Sequence, residues 1–335
     1  MGDNMDGAAP GAPPLPAGLS SPWASAYHTP VLAEEILGLL SDKRTALDGT
    51  LGGGGHSLAM LEHGASVTAL DRDPAAIAAA RRRLAKYEKA GRFTALLGNF
   101  ADVDRVESLR GASWDFILLD LGVSSHQIDD PSRGFSFREG APLDMRMGDD
   151  AELSAADWLN QAPEHELLFV FREYADERRA ARLSREVTRR RGNRPFAVSD
   201  DFVGAIRGAL GPQSGPSDFA RLFQAVRIEV NGELRALEHA LPALRDRLLP
   251  DGIIAVIAYH SGEDRLVKHA FREWSTECTC PPKQPMCTCR GHALGDTVMR
   301  KAVSATTAET AANPRARSAR LRAWRSEAAG SAAAG

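Results

Sequence analysis

The feature that most constrains this chain is a glycine-rich turn, Gly49-Thr50-Leu51-Gly52-Gly53-Gly54-Gly55-His56, set between two contrasting segments. Before it runs a short strand-like stretch, RTALD from Arg44 to Asp48, and after it a helix-forming segment. A strand that feeds a helix through glycines opens a β-α-β unit, because only a crossover of that length can return the chain to a parallel neighbour. The pattern repeats. Val67 to Asp71 (VTALD) predicts a second strand, and Asp73 then predicts an N-cap with Pro74 at the first helical position. Ala75 to Lys86 is strongly helix-forming, and Arg92–Leu97 and Trp114–Asp120 (WDFILLD) predict third and fourth strands. Such alternation calls for a parallel sheet covered on both faces.

The strand pattern then stops. From about Ser154 to Leu210 the chain predicts helices only, with Ser154 and Ser199 as caps. A long helix from about Asp218 to Leu249 follows, and strand character returns at Ile253–His260 (IIAVIAYH). An α/β sheet interrupted in this way implies an inserted all-helical subdomain. The expected layout is a disordered tail at 1–25, a first core part at 26–145 and the insertion at 146–217. The second core part covers 218–325 with a Cys-rich loop at 278–289, and a second tail covers 326–335. No run of 18 apolar residues is present, and the N-terminus has neither a basic start nor an apolar h-region, so a cytoplasmic, non-membrane protein is expected. A formal net charge of −3 argues against indiscriminate binding to polyanions.

A glycine turn opening a helix suits a nucleotide, because backbone N–H groups can approach an anionic or hydroxylated ligand closely. Asp71, ending the second strand, is placed to hold ribose hydroxyls. The dinucleotide fingerprint G-x-G-x-x-G fails here: started at Gly52 it meets Ser57, and started at Gly53 it meets Leu58. The acid-plus-loose-glycine pattern Asp48-x-Thr50-x-Gly52-x-Gly54 instead resembles the first motif of Rossmann-like methyltransferases, with Thr50 where a glycine is commoner. S-adenosylmethionine is therefore the expected cofactor. Phe100, after the third strand, is either a base-stacking group or a core residue under a loop.

Methyl transfer from a sulfonium is an in-line displacement that needs alignment and exclusion of water. An exocyclic amine on a base is a poor nucleophile until acceptors hold its N–H bonds. In a parallel sheet such acceptors sit at the carboxyl ends of strands. Here those ends carry Asp120-Leu121-Gly122-Val123-Ser124-Ser125-His126-Gln127 and His260-Ser261-Gly262-Glu263-Asp264-Arg265.

These segments closely resemble the ribosomal small-subunit RNA (cytosine-N4) methyltransferase family. The matching stretches are HTPVL (28–32), LDGTLGGGGHS (47–57), ALDRDP (69–74), LLDLGVSS (118–125) and RGFSF (133–137). PLDMRM (142–147), FQAVRIEVNGEL (223–234) and NPRARSARLR (313–322) extend the match over nearly the whole chain from His28. The resemblance implies a methyltransferase core with an inserted helical domain, and as substrate a cytosine in the decoding centre of the small-subunit ribosomal RNA. It puts cofactor contacts on Gly54, Gly55, His56, Asp71, Phe100, Asp120 and Gln127. Asp120 is the leading candidate for orienting the target amine, with Asn231 and His260 as further candidates. Three family positions differ: Tyr259 replaces a Phe, Gly262 a Leu, and His126 a Pro before the Gln; Ala175-Asp176-Glu177-Arg178 also stands for Gly-Glu-Glu-Arg. Two rival readings are a methyltransferase for protein or small molecules, and a non-catalytic RNA-binding factor; retained Asp71, Phe100 and Asp120 oppose the latter.

Arg178, Arg179, Arg182, Arg185, Arg189, Arg190 and Arg191, with Arg194 beyond, exceed their neighbouring acids. They are either a solvated helix face or phosphate contacts, and local excess in an acidic chain favours contact with RNA. Arg315, Arg317, Arg320, Arg322 and Arg325 fit the outward face of a last strand as well as an RNA stripe. Gln224, Arg227 and Asn231 share a helix face. All four cysteines lie in two C-x-C pairs, Cys278/Cys280 and Cys287/Cys289. Four thiolates so placed suit a structural zinc; a disulfide pair or free thiols are the alternatives.

Overall fold

A computed structural model describes residues 22–24, 29–281, 284 and 286–328. The expected tail at 1–25, apart from 22–24, and His28 of the first matching stretch lie outside the described residues, as do 329–335. Residues 22–24 are packed against the core: Arg83 donates to the carbonyls of Trp23 (2.5 Å) and Ala24 (3.3 Å).

In chain order the first half runs α1 (Ala33–Leu40), β1 (Thr45–Asp48), α2 (Gly55–Glu62), β2 (Ser66–Asp71), α3 (Pro74–Lys89), β3 (Phe93–Leu97) and β4 (Trp114–Asp120). Five short or medium helices follow: α4 (Ser125–Asp129), α5 (Ala155–Gln161), α6 (Glu164–Glu173), α7 (Ala180–Arg191) and α8 (Ser199–Leu210). Then come α9 (Pro216–Asn231), α10 (Glu233–Arg245), β5 (Leu248–Ala258), α11 (Ser261–Trp274), β6 (Gly295–Thr297), α12 (Thr307–Ala312) and β7 (Arg320–Ser326). No helix among the described residues is long and apolar enough to cross a membrane.

The strands form one sheet in the order β3-β2-β1-β4-β5-β7-β6. β1 to β5 are parallel, and β7 runs antiparallel between β5 and β6. This is the largely parallel, Rossmann-like sheet expected from the strand–helix alternation. The chain leaves β1 in one direction and returns to its other side at β4, so a crevice opens above the carboxyl ends of these two strands. Alternation along the strands feeds two cores. Phe116, Leu118, Ile253, Ala255 and Ile257 face α1, α2 and α3. Ile117, Leu119, Ile254 and Val256 face α10 and α11.

The helices α5 to α8 bury a third core of their own, in which Phe171 stacks on Phe202 and Phe202 packs on Phe223. Ser154 caps α5 as expected, its hydroxyl accepting from the Asp157 amide at 3.1 Å. Ser199 does not cap α8: it is already helical, and its hydroxyl donates to the Arg138 carbonyl. The helical core also recruits Leu143, Met145 and the α9 residues Phe219, Leu222, Phe223 and Val226, beyond the expected limits of 146 and 217. α9 can serve both bodies because 16 residues extend about 24 Å. The single helix expected from 218 to 249 is broken at Gly232, whose left-handed backbone (φ 60°) ends α9 and turns the chain into α10. β5 begins at Leu248, inside the segment expected to be helical.

Candidate active site

The crevice is a cleft, partly open to solvent, over the ends of β1, β2 and β4. Its centre is the glycine turn. The Gly49 amide donates to Leu118 (2.9 Å) and the Leu51 amide to Leu70 (2.9 Å), so the turn is tied to strands on both sides of β1. Gly49 is closely enclosed, since a Cβ there would meet the end of the Leu119 side chain at 2.5 Å and force it to shift. Thr50, unusual for the motif, has a structural reason: its hydroxyl accepts the Asp120 amide at 2.6 Å and locks β4 to the turn.

Three carboxylates end three strands. Asp48 is buried beneath the turn, where its carboxylate accepts the Ser57 hydroxyl (2.7 Å) and the Thr50 amide (3.2 Å). Burial raises its carboxyl above the usual range despite those donors and nearby His56. Asp71 lines the cleft and accepts the amides of Gly52 (2.7 Å) and Asp73 (2.9 Å). Burial pushes it up to about 6, the two amides offsetting part of the effect. Asp120 receives the Tyr259 hydroxyl on Oδ1 at 2.8 Å, and its Oδ2 lies 3.3 Å from His56 Nε2. Tyr259 itself is held protonated, first by burial and then by the Asp120 charge.

Gly55, His56, Asp71, Phe100, Asp120 and Gln127 all line this cleft, together with Thr50, Tyr259, Glu233 and Glu263. Gly54, Asn231 and His260 lie outside its wall. Gly54 faces α3, where a Cβ would meet Leu84 at 3.1 Å and Ala80 at 3.3 Å. Asn231 is buried with its amide spent: Oδ1 accepts the Met147 amide (2.8 Å), and Nδ2 donates to the Met145 (2.8 Å) and Arg227 (2.9 Å) carbonyls. It pins the 145–147 segment to the end of α9. His260 caps α11, accepting the Glu263 amide at 3.4 Å, and its Nε2 lies 3.2 Å from Glu263 Oε1. Burial alone would raise the Glu263 carboxyl, but His260, the Tyr259 amide and Arg227 outweigh it and hold it low.

Gln127 meets the cleft with its amide engaged. Oε1 accepts the Ser124 amide (2.9 Å) in a capping box, and Nε2 donates to Asp73 (3.1 Å). Asp73 caps α3 as expected and is also a buried node, because Arg133 donates to it at 3.0 Å while reaching the Met147 carbonyl at 2.9 Å. Thus the RGFSF and PLDMRM stretches build the floor beneath the cleft. Gly148 shows how tightly that floor is laid: a Cβ there would lie 2.2 Å from the Arg72 carbonyl oxygen. Sequence reasoning missed Tyr259 and Glu233. Tyr259 stood in view beside His260, and its one signal was a hydroxyl where the family has phenylalanine. Glu233 forms a two-armed pair with Arg227 (2.8 and 2.9 Å) that no local pattern announces.

Two observations are consistent with a polar ligand in this cleft. No side chain lies within 4 Å of where a Gly52 Cβ would be, so the backbone there is open to a ligand. Both ring nitrogens of buried His56 lack a hydrogen-bond partner, although Nε2 faces Asp120.

The profile of the MraW methylase family matches residues 25–327. A ribosomal RNA small subunit methyltransferase H from Gemmatimonas aurantiaca is 63% identical over 300 residues, covering 90% of this chain and 95% of the relative. Its counterpart from Heliobacterium mobile is 45% identical, covering 88% of this chain and 97% of the relative. Among solved structures, an rRNA methylase from Streptococcus thermophilus aligns over 88% of this chain and 93% of its own, at 9% identity and a TM-score of 0.39. The chain belongs to the MraW methylase family of S-adenosylmethionine-dependent methyltransferases.

Proposed function

We propose that the chain transfers a methyl group from S-adenosylmethionine to the N4 amine of a cytosine in the decoding centre of 16S ribosomal RNA. The substrate is the small ribosomal particle, and the work is done in the cytoplasm. The relatives' activity on small-subunit ribosomal RNA supports the substrate class. The observation that carries the chemistry is Asp120, held between the Tyr259 hydroxyl and His56 at the mouth of the glycine turn.

The cofactor supplies an electrophilic methyl on a sulfonium. The residues do the rest. Asp71 accepts the ribose hydroxyls, Phe100 offers its face to the adenine, and the Gly52 and Gly55 backbone lets the ligand approach. Asp120 accepts an N–H of the target amine, which localises the nitrogen lone pair and aligns it for attack. As the C–N bond forms, the nitrogen becomes acidic and Asp120 is placed to take the released proton. The Tyr259 hydroxyl stops the carboxylate from rotating away, and His56 Nε2 lies 3.3 Å from its other oxygen. Asn231 and His260 act behind the wall, by fixing the floor and the start of α11.

Labelled methyl transfer to small particles from a strain lacking the modification, run beside naked 16S RNA and followed by nucleoside digestion, tests this reading. N4-methylcytidine formed on the particle is the expected result. Label on a ring carbon, on ribosomal protein, or nowhere would overturn it.

A further inference from the structure

Beyond the cleft, the densest group of reactive side chains lies past the far end of α11. The Sγ atoms of Cys278, Cys280, Cys287 and Cys289 all lie within 4.8 Å of one another. Cys287–Cys289 are 3.4 Å apart, Cys280–Cys287 and Cys278–Cys289 3.8 Å, and Cys278–Cys287 3.9 Å. Four sulfurs around one metal at about 2.3 Å define a tetrahedron with edges of about 3.8 Å. A disulfide needs sulfurs about 2.05 Å apart, and all four cysteines are free.

The backbone agrees with a thiolate site. The Thr279 amide in one C-x-C arm donates to Cys289 of the other (3.3 Å), and the Thr288 amide returns the bond to Cys280 (3.4 Å). Each arm thus offers an N–H to a sulfur of its partner, which favours the charged form of that sulfur. Pro282, Lys283 and Pro285, between the arms, lie outside the described residues. None of the described residues from 275 to 294 is buried. A segment without a core cannot repay the entropy of ordering through apolar contacts, and small domains of this kind are ordered by metal.

We propose that Cys278, Cys280, Cys287 and Cys289 bind one structural zinc ion. Binding displaces the four thiol protons and forms four Zn–S bonds, with no change of oxidation state. The ion clasps the 275–294 segment onto α11. Arg290, next to Cys289, donates to the Glu273 carbonyl and to the Thr276 carbonyl (3.0 Å), and the Leu294 amide donates to Trp274 (2.8 Å). α11 has 14 residues, so the clasp sits about 21 Å along the helix from the His260 end. The site therefore takes no part in methyl transfer.

The test is metal analysis of the full chain, untagged and purified without chelator, beside Cys280→Ser. About one zinc per chain is expected in the wild type by four-ligand stoichiometry. The variant should lose it, gain protease cleavage within 275–294, and keep its cofactor affinity. Wild-type protein reloaded with cobalt(II) should show sulfur-to-metal charge transfer and the intense visible bands of a tetrahedral thiolate site, which decides the matter even if the variant does not fold. Native protein that carries no zinc and has four freely titratable thiols, that holds iron instead, or that carries disulfides would overturn the proposal.

Discussion

The carboxyl-end rim of the sheet and the outer face of the helical insertion are both rich in charge, yet the two are built differently. On the rim, Asp48, Asp71 and Asp120 each take two or more hydrogen bonds or close polar contacts from neighbours fixed by the fold. In the insertion, most arginines of the α7 run are already used. Arg179 and Arg182 donate to carbonyls at the end of α8, Arg189 and Arg190 share Glu186, and Arg191 reaches the Leu159 and Ala162 carbonyls. Among the described residues of that run, only Arg178 and Arg185 are exposed and make no side-chain hydrogen bond or ion pair. A charge surplus in a sequence does not locate a binding face; what the fold leaves uncommitted does. Methyl-transfer chemistry is expected to belong to the first region and RNA grip to the second.

The largest effect should come from Asp120→Asn, which keeps the shape but removes the charged acceptor. Single-turnover methyl transfer should fall by at least about 100-fold, with cofactor and particle affinity changed far less. Equal losses in rate and affinity would take Asp120 out of the chemistry.

Next is Asp71→Ala, which should weaken S-adenosylmethionine binding by about tenfold or more in calorimetry. Wild-type affinity carries a pH signature too. Asp71 sits at about 6, so affinity should level off above that value and fall by about tenfold per pH unit well below it, as protonation removes the acceptor. Stability of the ligand-free protein runs the other way. A raised carboxyl adds stability that is full below the unfolded value of about 4 and is lost as pH rises through about 6. An affinity indifferent to pH between 5 and 7 would sever Asp71 from the cofactor.

The smallest effect belongs to the insertion. Arg178→Ala with Arg185→Ala should make the logarithmic salt dependence of particle binding shallower by about 1.4–1.8. Cofactor affinity should not move. Arg189→Ala, whose charge already faces Glu186 at 2.8 Å, should change the slope less. An unchanged slope in the double variant would make α7 an ordinary solvated helix.

Much of the first region was legible in the sequence, because buried parallel strands are apolar runs that end in a conspicuous acid: TALD, VTALD and WDFILLD each did so. The cap in which Asp73 accepts the Ala75 amide was legible from equally local signals. The rest depends on contacts remote in sequence. Asn231 reads as one member of a polar helix stripe until Met145 and Met147 arrive from 84 or more positions away. Gly232 lies between two long helix-forming stretches, so the Asn231-Gly232 turn signal was outweighed there, and the left-handed backbone of Gly232 shows the break. The short strand β6 has two exposed residues of three and borrows its pairing from β7, so no alternation marks it. Of the last arginines only Arg320, Arg322 and Arg325 lie on β7: Arg322 pairs with Asp264 across 58 residues, Arg320 stays exposed, and Arg315 and Arg317 precede the strand.

The most direct test of the account is a structure of the chain bound to S-adenosylhomocysteine. The ribose hydroxyls should lie on the Asp71 carboxylate with the adenine against Phe100. The sulfur should open toward Asp120, and the Tyr259 bond to that carboxylate should be intact. A cofactor seated away from the glycine turn, or a ribose that leaves Asp71 untouched, would contradict the account.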